Sequence, residues 1–290
     1  MKKLVSLLCT AALTAGLLAG CSGGTSSTPA PEGSAAPETA PAETSSLEGT
    51  TLKVGATPAP HAEILEVVKE LLAEEGITLD IVEYTDYVQP NNAVEDGSLD
   101  ANYFQHITYM NDFNDQNGTH LVSAAEVHYE PMSLYAGKVS SLDELADGAL
   151  IGVPNDATNE ARALLVLQQE GLITLRDGAG ITATINDIVD NPKNLQFSEM
   201  EAAQLPLRLA DLDMAVINGN YAIDAGLSMD DALATESADG EAAQAYVNVL
   251  AVKEGRETDP AIQALAAALC SDEVKTYIEE NYNGAVVAVF

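Results

Sequence analysis

Arg162 is the residue whose type and position most directly suggest binding chemistry. It lies in the first turns of a helix predicted over residues 157–170, just after Pro154-Asn155-Asp156. A cation at a helix start opposes the helix dipole, and an anion bound between the two satisfies both. A guanidinium can hold a carboxylate through two parallel hydrogen bonds. The alternative is a surface arginine paired with Asp156 or Glu160, and helix position alone leaves both interpretations open.

Asparagine side chains at two other places could complete a polar site. Asn159 precedes Arg162 by three residues and therefore lies on the same helical face. Asn218 and Asn220 follow a buried strand predicted at Met214–Ile217, and ligands of α/β sheets bind beyond such strand ends. The alternative is that these asparagines only form the turn after the strand.

Aromatic and imidazole side chains form a third candidate group, comprising Tyr87, Phe104, His106 and Tyr109. In an extended segment Phe104 and His106 share one face with Asn102. Sulfur contacts aromatic edges favourably, by about 0.3–1.5 kcal/mol each, so such a group suits a thioether better than a charged side chain. The alternative is that Phe104 and Tyr109 are ordinary core residues.

The remaining histidines and the cysteines favour neither a metal site nor catalysis. His106 could ligate a metal, but His61, His120 and His128 show no spacing that resembles a zinc motif, so we predict no metal and no cofactor. Of the three cysteines, Cys270 lies in an apolar helical run that predicts a buried core residue. The sequence has no Gly-x-Ser-x-Gly, Walker loop or His-Glu-x-x-His, and we do not expect an enzyme.

The first residues form a targeting segment rather than part of the fold. Two lysines precede an apolar stretch over residues 4–19, which ends in Leu18-Ala19-Gly20-Cys21. This tetrapeptide resembles the lipobox of bacterial lipoproteins, whose cysteine receives a diacylglycerol; an ordinary secretory signal is the alternative. We therefore predict a signal peptide at 1–20, followed by a lipidated Cys21 and a disordered tether over 21–49.

The charge of the chain excludes several classes of partner. The 290 residues include 45 acidic and 12 basic side chains, which give a formal charge of −33. Such a charge repels nucleic acids and anionic lipid surfaces, so neither is an expected partner. It also makes each cation in a binding site conspicuous.

The rest of the chain alternates between strands and helices, which indicates an α/β fold with parallel sheets. The strands are predicted at Leu52–Ala56, Thr78–Tyr84, Asp100–His106, Leu121–Val127, Met132–Ala136, Ala149–Val153, Leu195–Phe197, Met214–Ile217 and Tyr246–Val252. The helices are predicted at 61–75, 141–145, 157–170, 260–269 and 272–282.

Several ordered segments together resemble the NlpA/MetQ family, the methionine-binding lipoproteins of ABC importers. They are Val54-Gly55-Ala56-Thr57-Pro58, His61-Ala62-Glu63-Ile64-Leu65, Asp86-Tyr87-Val88-Gln89-Pro90-Asn91, Asp100-Ala101-Asn102-Tyr103-Phe104-Gln105-His106, Val153-Pro154-Asn155-Asp156-Ala157-Thr158-Asn159, Ala215-Val216-Ile217-Asn218-Gly219-Asn220-Tyr221-Ala222 and Gly284-Ala285-Val286. Each segment is short, but their order and spacing extend from about residue 51 to residue 290.

The resemblance implies a type II periplasmic-binding-protein fold, in which two α/β lobes are joined by two crossover strands around a ligand cleft. Lobe one would comprise residues 50–136 and 247–290, and lobe two residues 137–246. The ligand would be methionine or a close derivative. Its carboxylate would bind Arg162 with Asn159 nearby, its ammonium group Asn218 and Asn220, and its side chain Tyr87, Phe104, His106 and Tyr109.

The function implied by the resemblance is solute capture outside the cytoplasm by a protein anchored to the membrane through an N-terminal lipid. The implied partners are the permease and ATPase subunits of an ABC importer, and we expect a monomer. The alternatives are a protein of the same fold that binds another small amino acid or a dipeptide, or a surface adhesin. We expect Arg162→Ala to lose affinity while the fold stays intact.

Overall fold

The computed structural model describes residues 47–237 and 244–290. The predicted signal peptide, the predicted lipid attachment site Cys21 and the tether up to residue 46 lie outside these residues. Two sheets organise the part of the chain that is described.

The strands are numbered in chain order. They are β1 (Thr51–Ala56), β2 (Thr78–Glu83), β3 (Ala101–His106), β4 (Leu121–Tyr129), β5 (Ser133–Ala136), β6 (Leu150–Pro154), β7 (Thr174–Leu175), β8 (Ile188–Asp190), β9 (Gln196–Met200), β10 (Met214–Ile217), β11 (Ala232–Thr235), β12 (Val247–Lys253) and β13 (Val287–Ala288). The first sheet has the order β13-β4-β12-β3-β1-β2, the second has the order β11-β5-β10-β6-β9, and β7 pairs with β8.

The α-helices with both ends inside the described residues are numbered in the same way. They are α1 (Glu63–Glu74), α2 (Gln89–Glu95), α3 (Ile107–Asn117), α4 (Ala157–Gln169), α5 (Leu205–Arg208), α6 (Gly219–Asp224), α7 (Pro260–Leu269) and α8 (Asp272–Asn281). Short 3₁₀ turns occupy Leu142–Glu144, Gly180–Thr182, Ile185–Asp187, Ala202–Gln204, Leu209–Asp211 and Met229–Asp231, and a π-helical turn occupies Pro58–Ala62. Within these residues no helix is both long enough and apolar enough to cross a bilayer.

Helix α1 shows how apolar spacing positions an element. Ile64, Leu65, Val68 and Leu72 recur at helical spacing, and all four are buried in the core of the first sheet. Gly76 follows with a φ of 79°, a left-handed conformation that glycine adopts without steric cost and that ends the helix. The chain can therefore turn back at once into β2, which pairs with β1.

Both sheets mix parallel and antiparallel strands, whereas the sequence predicts parallel sheets. In the first sheet β1 pairs parallel with β2 and β3, but β12 runs antiparallel to β3 and β4. In the second sheet β10 pairs parallel with β6 and antiparallel with β5. The antiparallel pairs involve strands next to the passages between sheets, and the alternation of strands and helices along the chain does not reveal them.

The chain passes between the two sheets twice. It does so over residues 130–132, between β4 and β5, and again between β11, which ends at Thr235, and β12, which begins at Val247. The expected boundary near residue 137 put Ser133–Ala136 in the first lobe, but this strand pairs with β10 and β11 in the second sheet. An apolar strand pattern does not say which sheet the strand joins. We propose lobes of residues 47–129 with 247–290, and 133–235.

Each lobe has an aliphatic core of its own. Val54 and Leu250 belong to the core of the first lobe, and Ile151 and Leu164 to that of the second. The prediction that Cys270 is a buried core residue is wrong, because its side chain is only partly buried. Helix α7 ends at the preceding residue, so Cys270 caps the helix at the edge of the core.

Candidate functional site

A cavity lies where the two lobes meet, and about 320 Å³ of atom-free space, part of it open to solvent, lies among its lining residues. All of the residues predicted to bind a ligand line this cavity, namely Tyr87, Phe104, His106, Tyr109, Asn159, Arg162, Asn218 and Asn220. The lining is completed by Gln105, Glu130, Gly219 and Asn248, which the sequence did not single out. The cavity adjoins the C-terminal ends of β3 and β10, where α/β sheets bind ligands.

The first lobe contributes side chains from the junction between β3 and α3. His106 is the N-cap of α3, and its Nδ1 accepts a 3.0 Å hydrogen bond from the backbone N–H of Tyr109. The proton of the neutral ring therefore lies on Nε2, which donates to Asn159 Oδ1 over 3.1 Å. Burial, and next the charge of Arg162, lower the pKa of His106 to about 3. His106 is thus a neutral donor toward the second lobe.

Three aromatic residues, Tyr87, Phe104 and Tyr109, line the cavity, and Tyr221 packs against Tyr87. We call these four residues the aromatic collar. The ring of Tyr87 lies 5.6 Å from the rings of Phe104 and Tyr109, and it stacks on Tyr221 at 4.9 Å. Tyr221 was not predicted to belong to the site, and it lies on α6, a helix that the sequence analysis did not predict. The collar offers a polarisable apolar wall, which suits an uncharged ligand side chain.

Asn159 connects the two lobes at the start of α4. Asp156 caps this helix by accepting a 3.0 Å hydrogen bond from the backbone N–H of Asn159, and a 2.9 Å bond from its Nδ2. Asn159 Oδ1 can then accept hydrogen bonds from His106 Nε2 of the first lobe and from Asn218 Nδ2, which lies 2.8 Å away. Burial raises the pKa of Asp156, while its hydrogen bonds to Asn159 and Thr158 act in the opposite direction.

Arg162 is buried, and its partners are not those expected of a surface arginine. Its Nε lies 2.9 Å from Glu236 Oε2, and its Nη2 donates to the same oxygen over 2.6 Å and to the carbonyl of Glu130 over 2.5 Å. The alternative pairing with Asp156 or Glu160 is therefore wrong. Nη1 makes no hydrogen bond to residues 47–237 or 244–290, and it leaves one edge of the guanidinium available.

Glu236 is a partner of Arg162 that sequence reasoning missed. Its carboxylate also accepts a 2.6 Å hydrogen bond from the Tyr129 hydroxyl, and the guanidinium carbon of Arg162 lies 4.4 Å from the ring centre of Tyr246. Burial acts to raise the pKa of Glu236, but Arg162 and the hydrogen bonds from Tyr129 and the backbone of Met132 together lower it overall. One glutamate in an acidic chain carries no distinguishing pattern, so only the fold reveals this role.

Arg162 thereby ties together the two passages between the lobes. The Glu130 carbonyl belongs to the first passage, and Glu236 belongs to the second. Removing the guanidinium would leave a buried carboxylate without its cation, which is strongly destabilising. The sequence analysis expected Arg162→Ala to leave the fold intact. From the structure we expect this substitution to lower both the free energy of unfolding and the affinity for the ligand.

Asn218 and Asn220 each leave one buried polar atom without a partner among the described residues. Asn218 occupies the N-cap position of α6 but makes no capping hydrogen bond with its side chain, so turn formation does not account for its amide. Its Oδ1 is unpaired, and so is Nδ2 of Asn220, whose Oδ1 accepts from the Tyr87 hydroxyl over 2.6 Å. Unpaired buried amide atoms are rare. These two asparagines therefore offer the cavity one free acceptor, Asn218 Oδ1, and one free donor, Asn220 Nδ2.

Glu130 is a second acidic residue that the sequence did not point to, although it stands alone in the break between two apolar strands. Its Oε1 accepts from His128 Nε2 over 2.7 Å and lies 3.3 Å from His61 Nε2, whereas Oε2 has no hydrogen bond to the described residues. A Cβ at Gly219 would come within 2.8 Å of Oε2, so glycine is needed there. Burial acts to raise the pKa of Glu130, but the two histidines and Arg162 lower it overall.

One group of residues in the described part of the chain has the composition of a metal site. His61, His128 and Glu130 each offer a ligand atom, and these atoms lie within 4.8 Å of one another. His128 and Glu130 lie two residues apart, but His61 is distant from them in the sequence, so the three residues form no recognisable motif. The group could bind a metal only if both Nε2 atoms were unprotonated, because the Nδ1 atoms are taken up by the hydroxyls of Thr57 and Tyr103.

The buried state of His106 predicts a loss of stability in acid. Its pKa is about 3 when folded and about 6.5 when unfolded, so the unfolded chain takes up a proton first. The contribution of His106 is present above pH 6.5 and is lost as the pH falls toward 3. In His106→Asn the asparagine keeps an acceptor for the helix cap but does not titrate. The parent protein loses unfolding free energy between pH 7 and pH 5, and we expect this loss to be about 2 kcal/mol smaller in the variant.

Chemical denaturation of the parent protein and His106→Asn at both pH values measures this difference. His120, whose side chain is exposed, supplies a matched control, and His120→Gln should leave the drop close to that of the parent. Parallel loss of stability in the parent and in His106→Asn would contradict the assignment of a buried neutral ring.

Two α/β lobes, two passages of chain between them and a polar cavity at their junction define the class of two-lobed solute-binding proteins. The chain matches the model of the NlpA lipoprotein family over residues 52–290. It therefore belongs to the NlpA lipoprotein family.

Individual relatives are similar over most of their length. The chain is 45% identical to membrane lipoprotein TpN32 of Treponema pallidum over 239 residues, which cover 82% of this chain and 88% of that protein. It is 38% identical to the D-methionine-binding lipoprotein MetQ of Escherichia coli K12 over 240 residues, or 81% of this chain and 87% of that protein. A nutrient-binding protein from Burkholderia cenocepacia, solved with methionine bound, superimposes with a TM-score of 0.78 at 43% identity, covering 82% of this chain and 100% of that one.

Proposed function

We propose that this protein binds methionine, or a close derivative, in the cavity between its lobes and delivers it to an ABC importer. The observation that carries the proposal is the pair of unpaired buried atoms in the cavity wall, Asn218 Oδ1 and Asn220 Nδ2, beside the available Nη1 edge of Arg162. A free acceptor, a free donor and a cation are what a zwitterion requires. Relatives named for methionine binding support the same ligand.

The free atoms suggest how the amino acid lies. Arg162 Nη1 and Asn220 Nδ2 are donors and would bind the carboxylate. Asn218 Oδ1 and Glu130 Oε2 are acceptors and would bind the ammonium group. Asn220 was expected to bind the ammonium group, but its free atom is a donor, which suits the carboxylate instead. The ligand side chain would then lie against the aromatic collar.

The cellular setting of the proposal follows from the N-terminal sequence and the family. The lipobox-like Leu18-Ala19-Gly20-Cys21 would place a diacylglycerol on Cys21 and anchor the protein to the cell membrane outside the cytoplasm. The permease and ATPase subunits of an ABC importer would be its partners, and the protein would act as a monomer. Its relatives bear the names of binding proteins, which supports a role without catalysis.

Calorimetric titration of the protein, first unfolded and refolded to remove any ligand, tests the proposal. We expect L- or D-methionine to give saturable heat and norleucine, which lacks the sulfur, to bind about 2- to 10-fold more weakly. Alanine should bind far more weakly because it does not reach the collar. Absence of heat and of any thermal stabilisation with methionine, norleucine and glycyl-methionine would reject the proposal.

A methionine-containing dipeptide is the second candidate ligand. A further space of about 820 Å³ adjoins the cavity and shares Tyr87 and Tyr109 with it. Its lining includes Asp86, Asp156 and Glu201, which could accept the amino terminus of a dipeptide. Tighter binding of glycyl-methionine than of methionine in the same titration would favour this ligand.

A further inference from the structure

A chain of hydrogen bonds links Glu130 to the interior of the first lobe. We call its members, Thr57, His61, Tyr103, His128 and Glu130, the histidine network. Thr57 Oγ1 lies 2.7 Å from His61 Nδ1, and the Tyr103 hydroxyl lies 2.5 Å from His128 Nδ1. On the other side of each ring, Nε2 approaches Glu130 Oε1, at 2.7 Å for His128 and 3.3 Å for His61. Both rings are fully buried.

The two hydroxyl groups determine where the protons of the rings lie. Within the described residues, each hydroxyl makes its hydrogen bond only to the Nδ1 of its histidine. It must donate there, because otherwise its hydrogen would be buried without an acceptor. Each Nδ1 is therefore unprotonated, and each neutral ring carries its proton on Nε2. His128 Nε2 then donates to Glu130 Oε1, whereas His61 Nε2 donates to Asn248 Oδ1 and lies 3.3 Å from the same carboxylate oxygen. No lone pair remains on either nitrogen for a metal ion.

This arrangement divides the Glu130 carboxylate into an inner and an outer oxygen. Oε1 accepts the hydrogen bond of His128 and lies 3.3 Å from His61 Nε2, whose own hydrogen bond goes to Asn248 Oδ1 over 3.2 Å. Oε2, the oxygen close to Gly219, has no hydrogen bond to the described residues, and Glu130 lines the cavity. The N–H group of His128 and the nearby N–H group of His61 stabilise the charge of the buried carboxylate without neutralising it. The negative charge thus remains available to a cationic group in the cavity.

We propose that His61 and His128 are positioning residues that keep Glu130 ionised and turned toward the cavity, where it selects ligands that carry an ammonium group. The proposal rests on the proposed function, since it concerns the same cavity. It goes further in assigning the orientation of this carboxylate, and with it the selection for an amino group, to two histidines that do not line the cavity themselves.

The test compares two ligands and two substitutions of His128. The ligands are L-methionine and 4-(methylsulfanyl)butanoic acid, which is methionine without its amino group. We expect His128→Phe to lower the affinity for methionine about 10- to 100-fold, because Glu130 loses its shortest hydrogen bond. The affinity for the des-amino acid should change by less than about 2-fold. His128→Gln, whose amide can donate in place of Nε2, should restore most of the methionine affinity.

The pH dependence of binding supplies a readout that general damage to the fold would not produce. The titratable and charged groups that interact with Glu130 are His61, His106, His128, Tyr87, Tyr103 and Arg162. In the parent protein the pKa of Glu130 is below its ordinary value, so methionine affinity should stay constant between pH 8 and pH 5. In His128→Phe, burial is less opposed and raises the pKa of Glu130. Methionine affinity should then fall as the pH is lowered through this range, while that of the des-amino acid should not.

The possible outcomes separate this proposal from the proposed function. If the parent protein binds no methionine-like ligand, the proposed function fails. If the parent binds methionine but His128→Phe weakens both ligands equally, or neither, the positioning proposal alone is overturned. Zinc binding by the parent that His128→Phe abolishes would also overturn it, because it requires the other tautomers. Should His128→Phe not fold, Thr57→Val is measured instead, and it should weaken methionine selectively by about 3-fold or more.

Discussion

Replacement of Arg162 by alanine is expected to lower the free energy of unfolding by about 3–5 kcal/mol. The guanidinium is the cation of a buried ion pair with Glu236, and its loss leaves a carboxylate buried without a partner. A domain of this size has a total stability of about 5–15 kcal/mol, so the loss is a large fraction of it. The midpoint of thermal unfolding should fall by roughly 6–20 °C.

The same substitution should also lower the affinity for methionine by about 100-fold or more, because the ligand carboxylate loses its cation. The two effects can be separated with Glu236→Gln. In Arg162→Ala with Glu236→Gln, the unpaired charge is gone, so part of the stability should return. Methionine affinity should not return, because the cation is still missing.

The control for Arg162 is Arg208, an exposed arginine paired with Asp211 over 2.8 Å. Arg208→Ala should change the stability by less than about 1 kcal/mol and leave methionine affinity unaltered. Thermal unfolding and calorimetric titration measure both effects in four variants, namely Arg162→Ala, Glu236→Gln, the combination of these two, and Arg208→Ala. An Arg162→Ala protein as stable as the parent, or one that binds methionine equally well, would contradict the role given to this side chain.

Replacement of Glu130 by glutamine is the second substitution with a large expected effect. The amide keeps the size of the side chain, and its Oε1 can still accept from His128. Its nitrogen would then take the place of Oε2, so a donor would meet the ligand's ammonium group. We expect methionine to bind about 100-fold or more weakly, and 4-(methylsulfanyl)butanoic acid to bind at least as well as to the parent.

Glu126 provides the matched control for Glu130, since it lies four residues earlier on β4 and is exposed. Glu126→Gln should bind both ligands as the parent does. The parent protein and Glu130→Gln, each titrated with both ligands, form a cycle that isolates the interaction between Glu130 and the amino group. Equal loss of both ligands in Glu130→Gln would mean that the carboxylate serves the fold and not the recognition of an ammonium group.

Many elements of the fold could be predicted from local patterns, but helices α2, α3, α5 and α6 and the pairing of the strands could not. The apolar spacing of α1 and the buried run at Met214–Ile217 gave the right elements because each pattern is set by the immediate neighbours in the chain. The strand Ser133–Ala136 was also predicted, but its membership of the second sheet depends on β10 and β11, far along the chain. The mixed character of both sheets was missed for the same reason.

The residues of the cavity divide along a similar line. Arg162, Asn159 and Asn218 lie at a helix start or a strand end, positions that already suggest a ligand, and the structure brings them together. The charge partners Glu236 and Glu130 were missed because acidic residues are abundant in this chain and become special only through burial. Which polar atoms remain free depends on hydrogen bonds between distant segments, and no sequence pattern records them.

The most direct test of the central claim is a crystal structure of the protein with L-selenomethionine, read through the anomalous signal of selenium. We predict one strong peak in the cavity between the lobes, beside the rings of Phe104 and Tyr109, with the ligand carboxylate on Arg162 and its ammonium group near Asn218. A selenium peak outside this cavity, or a ligand in the cavity with its carboxylate directed away from Arg162, would contradict the account.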